Sequence, residues 1–275
     1  MGNPNLEEDR GLTKTCKIGG NTYYRYTGVD SQGNALTSGG CSNKGYTLVN
    51  AVCAKNCEIG DCVNESKEVS YTADDGTVYK RKYNEWSCKT KTANCRVGDY
   101  AVIDGQQIGI IFHLPDAKLN KTLVAANRPW AYFSWSADAA HAIDTPLANP
   151  GANKNDFEGK YRTNWIINFA RSNANYKYPA FTSAITYEPA NCNHSICKAG
   201  EWYLFSIGEA ELLYENKYLM YNLAHGSNRY HDEFDTWTSN ENDPTNSCFR
   251  AEATIYCWPK SFHYNVTPVL SFSPR

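Results

Sequence analysis

Six acidic or imidazole side chains crowd into the stretch from His231 to Asp243: His231, Asp232, Glu233, Asp235, Glu241 and Asp243. Carboxylates beside a histidine are the raw material of a calcium or transition-metal site, or of an acid–base pair. Their spacing matches no calcium loop. The segment therefore reads as a solvated loop in which Glu241 is a buried hydrogen-bond acceptor, and no metal ligand is assigned. Nucleophile chemistry has no motif to stand on, because Gly-x-Ser-x-Gly, His-Glu-x-x-His and phosphate-loop patterns are all missing from the chain. Ser206 stands at a helix start, where capping is its expected role. The expectation is a protein that is not an enzyme and that uses no cofactor.

Cysteine is the other reactive residue in quantity. Of 11 cysteines, Cys16, Cys41, Cys53, Cys57, Cys62, Cys88 and Cys95 fall in the first third, and Cys192/Cys197 and Cys248/Cys257 form close pairs. Structural zinc favours two short Cys-x-Cys knuckles, and only the Cys53, Cys57, Cys62 run is of that kind. Disulfides are the preferred reading, with Cys192–Cys197 and Cys248–Cys257 as expected pairs. An odd total leaves at least one thiol free or paired between chains. Such cysteine usage belongs to an oxidising compartment, so the expected location is extracellular or at the cell surface. The opening Met1-Gly2-Asn3-Pro4 lacks an export signal, and the chain is expected to start downstream of a removed signal or anchor.

The elements that must position these residues follow from pattern. With 275 residues, 27 basic and 29 acidic, the net charge is −2. That balance points to neither nucleic acid nor an anionic membrane as partner. No apolar run approaches the roughly 20 residues needed to span a bilayer, so no direct membrane insertion is expected. Twenty Tyr and seven Trp against two Met suit an aromatic-rich extracellular β or α+β protein. Residues 1–11 read as a loose terminus. From Thr15 to Cys95 short alternating runs are broken by Gly, Asn and Asp. The runs beginning at Asn21 and at Gly76 resemble each other, which suggests two copies of a small cysteine-tied β unit. Longer apolar strands begin after Arg96, at Ile108–Leu114 and Leu123–Ala126. A boundary is therefore placed there, giving a cysteine-rich β region over 1–99 and a second domain over 100–275. Helical spacing is expected over 155–172, with Tyr161, Trp165, Ile166 and Phe169 on one face. A second helix is expected over 206–221, with Ser206 and Glu209 as a capping box and Leu212, Leu213 and Leu219 as its apolar stripe.

From Ile108 to Phe272 the chain resembles the C-type-lectin-fold domains at the ends of bacterial surface adhesins. These include the collagen-like adhesin C-terminal type and the variable proteins diversified by retroelements. The matching stretches are Gly109-Ile110-Ile111-Phe112, Ala131 to Ser136, Asp156 to Lys160, Ala199-Gly200-Glu201-Trp202-Tyr203-Leu204 and Gly208 to Leu212. They continue with Trp237-Thr238-Ser239-Asn240-Glu241, Lys260 and Val266 to Phe272. Phe205 stands where that family typically has Pro, and Thr267 where it has Arg. The resemblance implies an α+β fold: a C-type-lectin-like domain preceded by a small disulfide-rich β region. It implies frame positions for Trp202 and Trp237, and variable positions between the Trp237 block and the terminal strand. Residues 242–251 and 261–265 lack Trp, Lys, Gln, Glu and Met, as adenine-directed diversification would leave them. Glu188-Pro189 resembles the Glu-Pro-Asn sugar motif of lectin folds, but Ala190 interrupts it before Asn191.

Function is expected to reside in this C-terminal segment, where aromatics interleave with polar groups as in adaptable paratopes. The candidate ligand-binding residues are Tyr230, His231, Asp232, Phe234, Asn240, Asn242, Asp243, Asn246, Phe249, Tyr256, Trp258, Phe262, His263 and Tyr264. The expected partner is a protein or glycan ligand on another cell or surface. The alternatives are a glycan-binding adhesin of fixed specificity, a structural component of a pilus or tail, and a secreted hydrolase.

Overall fold

The computed structural model describes residues 15–18, 21–24, 46–49, 52–72, 76–127, 131–137, 154–190, 192–216, 235–251 and 254–275. Short alternating segments come first. β1 (Thr15–Ile18) and β2 (Asn21–Tyr24) pair antiparallel, and β3 (Tyr46–Val49) pairs with the start of β4 (Val52–Thr72). β4 and β5 (Val78–Thr90) form a long antiparallel pair, with Asn64 opposite Trp86. Just before β5, Gly76 takes a φ of +83°, a left-handed conformation that glycine adopts without steric penalty.

β6 (Tyr100–Ile103), β7 (Gln106–His113) and β8 (Thr122–Ala126) continue as an antiparallel meander. β15 (Pro268–Pro274) returns from the far end of the chain, pairing antiparallel with β8 and in parallel with β5. The order β15-β5-β4-β6-β7-β8 thereby comes back to β15, and six strands close into a barrel. Closure leaves these strands no open edge within the ring.

Alternation along each strand sorts the side chains to two sides. One buried cluster takes Cys57 and Ile59 from β4, Trp86 and Cys88 from β5, and Ala101 and Ile103 from β6. Ile108 and Ile111 of β7, Val124 and Ala126 of β8, and Leu270 and Phe272 of β15 complete it. A contribution from every strand marks this cluster as the barrel interior. The alternate residues Tyr100, Val102, Ile110, Phe112, Leu123, Ala125 and Val269 form a second cluster outside it.

Three α-helices are described: α1 (Gly159–Ser172), α2 (Pro179–Ile185) and α3 (Ile207–Glu215). α3 covers the outer barrel cluster through Ala210, Leu212 and Leu213. Glu209 Oε2 accepts from the Ser206 backbone N–H at 2.8 Å, satisfying a donor that the helix start leaves unpaired. The expected stripe position Leu219 lies outside the described residues. α1 buries Tyr161, Trp165 and Ile166, while Phe169 is half-buried and stacks on Tyr176 with centroids 5.5 Å apart. α2 starts on Pro179, whose missing N–H would be unpaired there in any case. Both pack with Trp135 and Trp237 beneath a second, five-stranded sheet in the order β13-β12-β11-β14-β9. Its strands are β9 (Tyr132–Ser134), β11 (Thr236–Glu241), β12 (Asn246–Ala251), β13 (Thr254–Pro259) and β14 (His263–Asn265). β10 (Tyr203–Leu204) pairs with β15, Tyr203 packing in the outer barrel cluster and Leu204 in the cluster beneath the second sheet.

This architecture overturns the expected α+β, C-type-lectin-like fold. Among the described residues 15 strands stand against three α-helices, and the larger sheet is a closed barrel. The decisive pairings are non-local: β15 meets β5 in parallel, and β4 meets β6 in parallel with Cys57 opposite Ala101. Strands from both sides of residue 99 therefore share one barrel and one interior.

Four disulfides are described. Cys62–Cys88 ties β4 to β5, and Cys57–Cys95 ties β4 to the turn after β5. Cys192–Cys197 closes over the 3-10 turn Ser195–Cys197 and packs with the barrel interior. There Trp202 Nε1 donates to the Cys197 carbonyl at 3.0 Å. Cys248–Cys257 joins directly opposed residues of β12 and β13. Four disulfides fit an extracellular, oxidising location. Among the described residues no helix is long and apolar enough to cross a membrane.

Candidate binding surface

The second sheet carries a series of aromatic rings that starts in the core and ends in solvent. Register puts Trp237 of β11 opposite Phe249 of β12, and Phe249 opposite Tyr256 of β13. Directly opposed residues share a face of the sheet, so these three rings lie on the side that packs on α1 and α2. Phe249 stacks on Tyr264 of β14 at 4.0 Å and 16°, and Tyr264 meets Trp237 edge-on at 4.8 Å. Tyr256 also stacks on Phe249, at 5.8 Å and 29°. Trp258 meets Phe249 at 6.4 Å and Phe262 at 5.6 Å, the latter pair at 88°.

Burial falls along this series. Trp237 is fully buried and Phe249 is 3% exposed, whereas Tyr256, Trp258 and Phe262 are 48%, 44% and 46% exposed. The outer three are clustered, oriented by ring packing, and incompletely covered. Offset and edge-on pairs of this kind add about 0.5–1.5 kcal/mol each beyond area burial, which holds the outer rings in fixed orientations before any ligand arrives. His263 is exposed beside Phe262, and Tyr264 is half-buried beneath.

The rim is a self-satisfied turn. Asp243 Oδ1 accepts from the backbone N–H groups of Thr245 and Asn246, each at 2.8 Å, and from the Thr245 hydroxyl at 2.8 Å. Asn246 Nδ2 donates to both Asp243 oxygens and Asn242 Nδ2 donates to Oδ2. Partial burial alone would raise the Asp243 carboxyl, but these donors outweigh it and hold the group well below the usual carboxylate range. Asn242, Asp243 and Asn246 thus build the β11–β12 turn and reach solvent only in part.

Two expected ligand contacts belong to the frame. Asn240 is fully buried, its Oδ1 accepting from the Ile207 N–H at 3.0 Å and its Nδ2 donating to Asp156 Oδ2 at 2.6 Å. It therefore couples the start of α3 to the Asp156–Arg162 ion pair. Phe249 is interior because β12 has a neighbour on each side and helices beneath. Tyr230, His231, Asp232 and Phe234 lie outside the described residues. Glu241 is a buried acceptor, paired with the Lys260 ammonium. That ammonium also donates to the Pro244 carbonyl at 2.8 Å and lies 4.9 Å from the Trp135 ring centroid. Glu188 pairs with Lys198 at 2.8 Å and accepts from the Ala199 N–H. Among the described residues no three His, Cys, Asp or Glu side chains come together as a metal cage.

The residue with the clearest unread signal is Tyr132. It lies within the Ala131 to Ser136 stretch and is not among the candidate ligand-binding residues, yet it is 50% exposed on β9. Strand alternation already separates it from the half-buried Phe133. Ser247, Cys248, Phe249 and Arg250 are buried in β12, and Cys248 is disulfide-bonded. A segment expected to vary freely therefore contains positions that packing constrains.

No protein-family model matches the chain, and no curated protein matches it. Among solved structures, a fimbrial protein from Bacteroides ovatus is similar at 14% identity and a TM-score of 0.44. The alignment covers 78% of this chain and 64% of that one, so the chain spans less than two thirds of that neighbour's length.

Proposed function

We propose that this is an extracellular binding protein whose contact surface is the aromatic ridge of Tyr256, Trp258 and Phe262, flanked by His263 and Tyr264. The observation carrying this reading is the contiguity of three large rings, each nearly half exposed, on a rigid aromatic base. Exposed, preorganised Trp and Tyr side chains are what binding hot spots are made of. Trp258 and Phe262 meet at 88°, which makes a ridge and not a flat platform. Such a ridge suits insertion between the side chains of a partner protein on another cell or surface.

The test is binding of the labelled full chain to intact cells and to an array of extracellular proteins, with Trp258→Ala and Phe262→Ala measured beside the parent. Each anchor is expected to cost about 1–3 kcal/mol of binding, while the loss of its ring pairs lowers the melting temperature only modestly and leaves the unfolding cooperative. Trp237→Ala is expected to unfold the second sheet, since truncating a buried aromatic costs about 3–5 kcal/mol. Undiminished binding by a folded Trp258→Ala, Phe262→Ala double variant refutes the assignment.

A further inference from the structure

Where α1 meets β5, one buried carboxylate touches both an amine and a side-chain amide. Glu201 is 8% exposed. Its Oε2 accepts from Trp86 Nε1 at 2.8 Å and from Lys160 Nζ at 3.4 Å, and its Oε1 accepts from Asn84 Nδ2 at 3.1 Å. Three segments supply these groups. Asn84 and Trp86 lie two apart on β5, on the same side by alternation. Lys160 stands in the first turn of α1, and Glu201 closely precedes β10. Tyr83 meets Tyr161 edge-on with centroids 6.4 Å apart, so the residues next to Asn84 and Lys160 hold β5 and α1 together.

Lys160 is poorly provided for as a cation. Its side chain is 7% exposed, and 3.4 Å is longer than the roughly 2.7–2.9 Å of a charge-assisted hydrogen bond. An ammonium has three donors, and among the described residues Glu201 is the group that accepts from it. Burial holds the Lys160 amine below the usual lysine value, against the opposing pull of Glu201. The first turn of a helix also disfavours a positive charge. Both effects favour the neutral amine, whose lone pair is a nucleophile. Asn84 is oriented by the same carboxylate: a carboxylate oxygen only accepts, so the amide nitrogen is the atom that faces it. Asn84 is otherwise exposed, which gives anything released from its amide a route to solvent.

We infer that Lys160 and Asn84 join in an intramolecular isopeptide bond, with Glu201 carrying the proton between them. Lys160 Nζ attacks Asn84 Cγ and a C–N bond forms. The Cγ–Nδ2 bond breaks, its electron pair stays on nitrogen, and ammonia leaves. Glu201 takes the proton that Nζ gives up and delivers it to the departing Nδ2. The exchange of one amide for another involves no change of oxidation state. Amine and leaving nitrogen already lie against the two oxygens of one carboxylate, so the proton path is in place before reaction. The product ties α1, which packs beneath the second sheet, to a strand of the barrel. It is a modification of the frame and is independent of the aromatic ridge.

The experiment is mass spectrometry of the full chain after reduction of its disulfides, first intact and then as a tryptic digest. The intact protein is expected to be lighter than its sequence by one ammonia. The digest is expected to contain a branched peptide joining the Asn84 segment to the Lys160 segment, uncut after Lys160. Asn84→Ala, at an exposed strand position, is expected to fold and to show its full calculated mass with no branch. A folded Glu201→Gln is expected to lose the branch as well. An intact mass equal to that of the sequence overturns the inference. So does loss of ammonia without a branch, which marks cyclisation at Asn84 alone, or loss of water with a Lys160–Glu201 branch. A branch that persists in Asn84→Ala overturns the assignment of the acceptor, and one that persists in folded Glu201→Gln overturns the role of the carboxylate.

Discussion

Burial pushes the Glu209 carboxyl up to about 7 from an ordinary 4.5, against the opposing pull of its hydrogen bonds from Ser206 and Tyr203. The group is 2% exposed, with Tyr203 Oη donating to Oε1 at 2.9 Å and the Ser206 N–H to Oε2 at 2.8 Å. Its protonated form is thus favoured in the fold relative to the unfolded chain. The stability it contributes is complete below pH 4.5 and is lost as pH rises through about 7. At about 1.4 kcal/mol per pH unit, the rise makes ionisation cost on the order of 3 kcal/mol. Glu209→Gln keeps an acceptor for the Ser206 N–H and cannot ionise. Urea denaturation of the oxidised protein between pH 5 and 8 should show the parent losing stability relative to this variant by roughly that amount. The difference between the two curves isolates Glu209 from every other titrating group. Parallel curves, or a parent that gains on the variant as pH rises, would refute the reasoning.

Gly159 abuts the same carboxyl: a Cβ there would stand 2.3 Å from Glu209 Oε2 and 2.6 Å from the Ser206 nitrogen. Gly159→Ala is expected to destabilise the protein by about 1–3 kcal/mol, read as a lower denaturation midpoint. A chain cut to residues 100–275 lacks β4 and β5, two of the six barrel strands, and should show no cooperative melting when expressed alone. Peptide mapping of the oxidised protein should recover the Cys57–Cys95, Cys62–Cys88, Cys192–Cys197 and Cys248–Cys257 linkages. Alkylation of either partner without reduction would remove that pair.

Features that depend on neighbours in the chain were readable from residue order. The β7 and β8 strands announce themselves as apolar runs, the Ser206/Glu209 cap as a four-residue pattern, and α1 as a 3.6-residue apolar stripe. These depend on torsions and hydrogen bonds that close within one turn or one strand. The choice of strand partner does not work that way. Every extended segment offers the same N–H and C=O groups, so alternation says which face of β15 is apolar but not that β8 and β5 flank it. Ring closure, and with it the sharing of one interior by residues 57 and 272, was decided only in three dimensions. The same holds at the surface. Phe249 and Tyr256 carry similar aromatic side chains and sit opposite each other, yet one is 3% and the other 48% exposed. The difference is position in the sheet: β12 has strands on both sides, whereas β13, at the end of the order, leaves Tyr256 and Trp258 half uncovered.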